Sequence, residues 1–188
     1  MALSINELKS GMTVLVDNQV YSIIEYQHVK PGKGSAFVRT KLRNLKLDTV
    51  QEKTFRESDK IDEAYVEEKK LQYQYRSGDM CHFMDRETFE DVTISQERIG
   101  EPAKFLKDNL EVSAYYYKDD LLNVALPNFI TYKITHSEPG IKGDTAKSGT
   151  KPATIETGAI IQVPLFIEVN DTIKVDTRTG QYLERVYT

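Results

Sequence analysis

The sequence predicts an all-β protein made of three small β domains. Three features of its 188 residues carry that expectation. Most of the chain alternates apolar and polar residues with a period of two and is rich in Val, Ile, Phe, Tyr and Thr, the pattern of half-buried strands. Short polar breaks interrupt the alternation at close intervals, as they do in small barrels and sandwiches. Only one segment carries helical spacing.

Taken in order, TVLVD (13–17), VYSIIEYQHV (20–29), AFVRTKLRNL (36–45) and VQEKTF (50–55) read as strands. Asp17-Asn18-Gln19 and Lys46-Leu47-Asp48 are breaks between them. KPGKGS (30–35) falls between the second and third strands, at a hairpin tip. RESDKIDEAYVEEKK is polar and supplies a connector over residues 58–66. LQYQYR and MCHFMD flank the hairpin turn Ser77-Gly78-Asp79. SQERIGEPAKFLKDNL is the expected helix, because Ile99, Ala103, Leu106 and Leu110 recur at helical spacing. EVSAYYYKDDLLNVALP returns to strand with Asp119-Asp120 as its turn, and Pro127-Asn128 is a break. FITYKITHSEP opens a third set, whose loop spans residues 140–154, and IIQVPLFIEV, TIKVDTRTG and QYLERVYT close it. The expected domains are 1–63, 64–127 and 128–188. The second and third read as five-stranded barrels of the oligonucleotide-binding type.

Composition narrows the function classes. The net charge of −4 is not that of a polycation, and a single cysteine, Cys81, forbids an intrachain disulfide. A reduced, cytoplasmic setting is expected. MALSINELKSGM has no signal-peptide pattern, and no stretch approaches the ~18 apolar residues of a membrane span. Charge is distributed unevenly. Residues 1–63 hold ten Lys and Arg against nine Asp and Glu, residues 64–127 eight against thirteen, and residues 128–188 seven against seven. Within the first part, the run from His28 to Leu47 contains Lys30, Lys33, Arg39, Lys41, Arg43 and Lys46 and no acid. A cationic hairpin on an acidic protein is the footprint of a phosphate-backbone contact confined to one end. The alternative is a solvated strand face.

KPGKGS sets the same choice at one residue. Glycine permits tight turns and proline presets a turn dihedral, so Lys33 is the one long side chain at the centre of the loop. Either the hairpin has a solvated lysine at its turn, or it exists to carry Lys33 to a distant anionic target.

Catalytic chemistry finds little support. His28, His82 and His136 lack metal-ligand spacing. Cys81 and His82 are adjacent on a strand and point to opposite faces, giving a buried Cys81 and a surface or half-buried His82. Gly32-Lys33-Gly34-Ser35 fails as a phosphate-binding P-loop, since GxxxxGK[ST] is absent and a strand follows where a helix must begin. Asp85, Glu87, Glu90 and Asp91 read as a solvated turn. The loop GIKGDTAKSGTK offers accessible backbone N–H groups at Gly140, Gly143 and Gly149 and the charges of Lys142, Lys147 and Lys151. It suits an RNA backbone or base edge read by Asp144 and Thr145, or is simply a surface loop. Tyr115, Tyr116 and Tyr117 suit a stacking platform, with at least one of them expected in the core.

These stretches together resemble one family along the whole chain. KPGKGSAFVRTKLRNL resembles the first-domain hairpin of bacterial elongation factor P. FMDRETFEDV resembles that family's second-domain signature, and the run from GIKGDTAKSGT to QYLERV its third domain. Two positions depart from the pattern. KLDTV (46–50) replaces a Thr-Gly turn, and Asn170 stands in place of Gly. Asn tolerates the left-handed conformation, so that turn is expected to survive.

The resemblance implies an SH3-like, KOW-type first barrel and two oligonucleotide-binding barrels in a tRNA-like L. It implies a monomer without cofactor or metal that is not itself an enzyme. Its partners would be rRNA and ribosomal proteins, peptidyl-tRNA and an enzyme that modifies Lys33. The factor would sit between the peptidyl-tRNA and exit sites and stimulate peptide-bond formation at consecutive prolines. Lys33 would be the tip residue, flanked by Pro31, Gly32 and Gly34. Lys30, Arg39, Lys41 and Arg43 would meet RNA, as would Gly143, Asp144 and Thr145 at the exit-site codon. A lysine at position 33 argues against the family's arginine-type branch. The alternative is a general single-stranded RNA-binding protein without a ribosomal role.

Overall fold

A computed structural model describes residues 2–30, 32, 35–138 and 149–187. The protein is all-β, with 58% of residues in strands and 7% in helices, arranged as three sheets. The first sheet holds β1 (Ala2–Leu3), β2 (Thr13–Val16), β3 (Gln19–Val29), β4 (Phe37–Asn44), β5 (Val50–Arg56) and β6 (Ile61–Glu63), in the order β1-β6-β2-β3-β4-β5. The second holds β7 (Glu67–Ser77), β8 (Met80–Asp85), β9 (Asp91–Ser95), β10 (Glu111–Tyr117) and β11 (Asp120–Ala125), in the order β11-β10-β7-β8-β9. The third holds β12 (Phe129–Ser137), β13 (Thr150–Ile155), β14 (Ile160–Pro164), β15 (Thr172–Asp176) and β16 (Gln181–Val186), in the order β14-β13-β12-β15-β16.

The chain forms two compact units, Met1–Glu68 with Ala114–Asn123, and Lys69–Ser113 with Val124–Thr188. In the first unit, the alternation read from the sequence becomes a buried face. Val14, Ile23, Val38, Leu42 and Ile61 are all almost fully buried in one core. A smaller cluster of Val20, Ala64 and Leu122 carries Tyr117 against it. Asp17 and Asn18 both have positive φ, 49° and 60°, so the two-residue turn between β2 and β3 twists with its strands. Lys118 and Asp119 do the same between β10 and β11. That turn lies one residue earlier than the expected Asp119-Asp120, since Asp120 already opens a strand.

The second unit corrects the expected helix over residues 95–110. Only Gln96–Ile99 is α-helical (α1), and a 3₁₀ helix follows over Glu101–Phe105. Gly100, with φ 73° and ψ −150°, ends α1. Pro102 sits in the first turn of the 3₁₀ helix, where a missing N–H costs nothing. Ile99, Ala103 and Leu106 are still buried and Leu110 is half-buried, but one loop reaches two cores. Ile99 and Ala103 are buried in this unit, while Phe105 joins Ile130, Tyr132, Ile134, Val163 and Ile173 in the core of the third sheet. Thr157 Oγ1 donates to the Lys104 carbonyl at 2.7 Å, and Lys107 Nζ donates to the Thr131 carbonyl at 2.7 Å.

Candidate nucleic-acid interface

The β3–β4 hairpin is the longest antiparallel ladder of the first sheet, with register running from Tyr21↔Asn44 to Val29↔Phe37. Residues 30–36 connect its ends, so Lys33 belongs to this connection. Pro31, Lys33 and Gly34 lie outside the described residues, as do Gly143, Asp144 and Thr145. Lys30 is exposed at the end of β3. Gly32 is exposed, and a Cβ there would meet nothing within 4 Å.

Along β4 the residues alternate without interruption. Val38, Thr40, Leu42 and Asn44 are buried, and Arg39, Lys41 and Arg43 point to the other face. The three cations are therefore together on one surface, for the reason that placed the apolar residues in the core. Their surroundings differ sharply. Lys41 stands in register with Glu25 on β3 and Glu52 on β5, and its Nζ lies 3.9 Å from Glu25 Oε1. The Nε–H of Arg43 donates to Asp48 Oδ1, which raises the guanidinium pKa still further above its ordinary value. Arg39 faces Gln27 and Thr54, neither of them charged. Its guanidinium carbon lies 5.8 Å from the centre of the Phe37 ring.

The run that is free of acids in sequence is thus not free of them in space. Register brings in Glu25 and Glu52, and the KLDTV turn brings in Asp48. That turn is built without the usual Thr-Gly pair. Asn44 Oδ1 accepts from the N–H groups of Lys46 and Leu47, each at 2.9 Å, and Asp48 takes φ 56°. Lys46 Nζ is 3.4 Å from Asp120 Oδ2. Arg56 went unnoticed in the sequence. It is exposed, pairs in register with Phe37, and shares the face of Arg39. Alternation along VQEKTFR carries that signal once β5 is registered against β4.

Other candidates resolve into structure. Cys81 is 1% exposed and burial pushes its thiol pKa up, while His82 is half-buried. His82 stacks on Tyr75 at 4.5 Å, and its Nδ1 lies 3.3 Å from Thr93 Oγ1. Asp85 is not solvated. It is buried, and its Oδ1 accepts from the N–H groups of Glu87 and Thr88 at 2.8 and 3.2 Å, which holds its carboxyl below the usual range. Tyr115, Tyr116 and Tyr117 are all half-buried, and of the three Tyr117 packs against the small core of Val20, Ala64 and Leu122, while the fully buried positions of the strand are Val112 and Ala114. Among the described residues no group of three or more His, Cys, Asp or Glu could hold a metal ion, and no helix is long and apolar enough to cross a membrane.

Two solved structures share the fold of about two thirds of this chain. The solved structure "Eukaryotic translation initiation factor 5A from Methanococcus jannaschii" superposes with a TM-score of 0.52 at 24% identity, covering 66% of this chain and 93% of that one. A "Translation initiation factor eif-5a family protein from Naegleria fowleri" superposes with a TM-score of 0.55 at 17% identity, covering 67% and 98%. At these identities the likeness is one of fold.

Sequence narrows the class to a family. Residues 4–61 match the family model of the elongation factor P KOW-like domain, 66–124 that of its OB domain, and 130–185 that of its C-terminal domain. Elongation factor P of Moorella thermoacetica is 50% identical over 183 residues, covering 97% of this chain and 99% of that one. That of Natranaerobius thermophilus is 50% identical with 96% of each covered, and that of Carboxydothermus hydrogenoformans 47% with 98% and 100%. The chain belongs to the elongation factor P family, and its role is that of a translation elongation factor.

Proposed function

We propose that this factor binds the ribosome between the peptidyl-tRNA and exit sites and speeds peptide-bond formation at consecutive prolines. One observation carries the reading. A chain 50% identical over nearly its full length to an elongation factor P sets Lys33 in the connection of its longest first-sheet hairpin. The mechanism is positional. Proline reacts poorly, and displacement of the acceptor end by ~1 Å can cost ~100-fold in rate. A lysine arm between glycines approaches RNA closely, and a modification of its amine lengthens the reach. The protein performs no catalysis itself and works as a cytoplasmic monomer. Its parts are 1–63, carrying the lysine arm, 64–127 and 128–188. Within this reading Pro31, Gly32 and Gly34 shape the arm, Lys30 and Arg39 support it, and Gly143, Asp144 and Thr145 meet the exit-site codon.

The test is translation of a reporter with three consecutive prolines, using protein from its host. Lys33→Ala abolishes rescue. Lys33→Arg keeps the charge but presents a planar fork in place of an extendable amine, and does not restore it. Full activity of either variant would sink the lysine mechanism. Equal affinity for ribosomes and for unstructured RNAs would favour a general RNA-binding module instead.

A further inference from the structure

We propose that the phosphate contact of the first sheet is made by Arg39 and Arg56, on either side of Phe37, and not by Lys41 and Arg43. The ligand class is an RNA backbone phosphate, and the inference rests on the ribosomal reading above.

Charge compensation is the first line of argument. Lys41 has a carboxylate in register on each side, and Arg43 is held by Asp48. A carboxylate standing next to a cation competes with an incoming phosphate for it, even where the exposed pair itself contributes little stability, so such a cation releases fewer counterions on binding. Arg39 has the uncharged Gln27 and Thr54 directly opposite it, with Glu25 and Glu52 only at the diagonal positions, and it forms no ion pair among the described residues. Arg56 uses its backbone N–H to donate to Asp59 Oδ2 at 2.8 Å, and its guanidinium forms no ion pair among the described residues.

Placement is the second. Arg39 and Arg56 are diagonal neighbours across β4 and β5, since Arg39 registers with Thr54 and Arg56 with Phe37. Such positions lie about 7–8 Å apart and point to the same side. Phe37 fills the interval, half-buried, with Val29 beyond it. Its ring lies under the Arg39 guanidinium, whose carbon is 5.8 Å from the ring centre, close enough for a cation–π contact. This end of the ladder is also the one from which the 30–36 connection departs. Two guanidinium groups without an ion pair among the described residues would there hold a phosphate at the base of the lysine arm and fix its direction.

The experiment is equilibrium binding to vacant ribosomes and to ribosomes carrying peptidyl-site tRNA, over about 50–200 mM monovalent salt. It compares wild type with Arg39→Gln, Arg56→Gln, Arg56→Lys and Lys41→Gln, each first shown by circular dichroism to melt like wild type. Each Arg→Gln change should reduce the slope of log affinity against log salt by about 0.7–0.9. Arg56→Lys and Lys41→Gln should keep the wild-type slope. Losses seen only with tRNA-loaded ribosomes assign the phosphate to tRNA, and losses in both arms assign it to rRNA. Wild-type slopes in both Arg→Gln variants, or an equal loss in Lys41→Gln, would overturn the assignment while leaving the ribosomal reading intact. Failure of the wild type to bind ribosomes in either arm would overturn that reading and this one with it.

Discussion

Tyr132 donates a 2.6 Å hydrogen bond from its hydroxyl to the carbonyl of Phe105, a residue 27 positions earlier in the chain. The two rings lie 6.2 Å apart, and both residues are buried in the core of the third sheet. Burial pushes the Tyr132 phenol far above its ordinary pKa, so it remains a donor at every working pH. Phe105→Ala should cost about 3–5 kcal/mol, the usual price of emptying an aromatic core position. Tyr132→Phe should cost about 1–3 kcal/mol, because the Phe105 carbonyl loses its partner. Urea unfolding measures both, and a cost below about 1 kcal/mol for Phe105→Ala would remove the ring from the core.

Asp176 gives the protein an acid-sensitive clasp. Arg178 reaches it with Nε at 3.0 Å and Nη2 at 2.6 Å, and this pairing holds the carboxyl below its ordinary range. A depressed carboxylate stabilises the fold above its unfolded pKa of about 3.9, and the contribution disappears as pH falls through the folded value. Melting temperature should therefore decline below about pH 4. In Asp176→Asn the decline should be shallower and the plateau near neutral pH lower. Parallel profiles for the two proteins would show that the clasp is not proton-linked.

Phe89 carries a φ of 61° at the β8–β9 turn and is 67% exposed. Left-handed backbone costs an ordinary residue about 1–2 kcal/mol, and an exposed ring recovers little of this. Phe89→Gly should leave stability unchanged or raise it by up to about 1 kcal/mol, as read from the denaturant midpoint. A clear loss would mean that the ring packs against something the protein needs.

Asn170, at φ 74°, donates its N–H to the Ile134 carbonyl at 2.9 Å. The turn survives without glycine, as expected of Asn. Asn170→Gly should be neutral or slightly stabilising, whereas Asn170→Ala should cost about 1 kcal/mol. Equal melting temperatures for the two variants would contradict a conformational role.

Strands were legible where one face meets a core, because burial writes itself as alternation. Val38, Thr40, Leu42 and Asn44 announced β4 and, with it, the direction of Arg39, Lys41 and Arg43. Ile99, Ala103, Leu106 and Leu110 misled. Their helical spacing comes from a single turn, a left-handed glycine and a 3₁₀ segment, which bury apolar residues at similar intervals. The electrostatics of the hairpin were hidden for another reason. Which acids meet Lys41 depends on cross-strand register, and the register shift between Ile23 and Glu25 decides that Glu25 is one of them. Arg56 was missed likewise, since its partner Phe37 is far from it in sequence.

Phe105 makes the C-terminal sheet hard to transplant. The stretches matching the OB and C-terminal family models end and begin at residues 124 and 130, a natural place to cut when exchanging modules between relatives. A fragment cut there would leave behind the ring that closes its floor and the carbonyl that its buried tyrosine requires. A chimera that carries residues 101–110 along with the C-terminal sheet keeps both. What must move as one piece in such an exchange is thus set by where an aromatic ring lies, not by where the strands of a sheet begin.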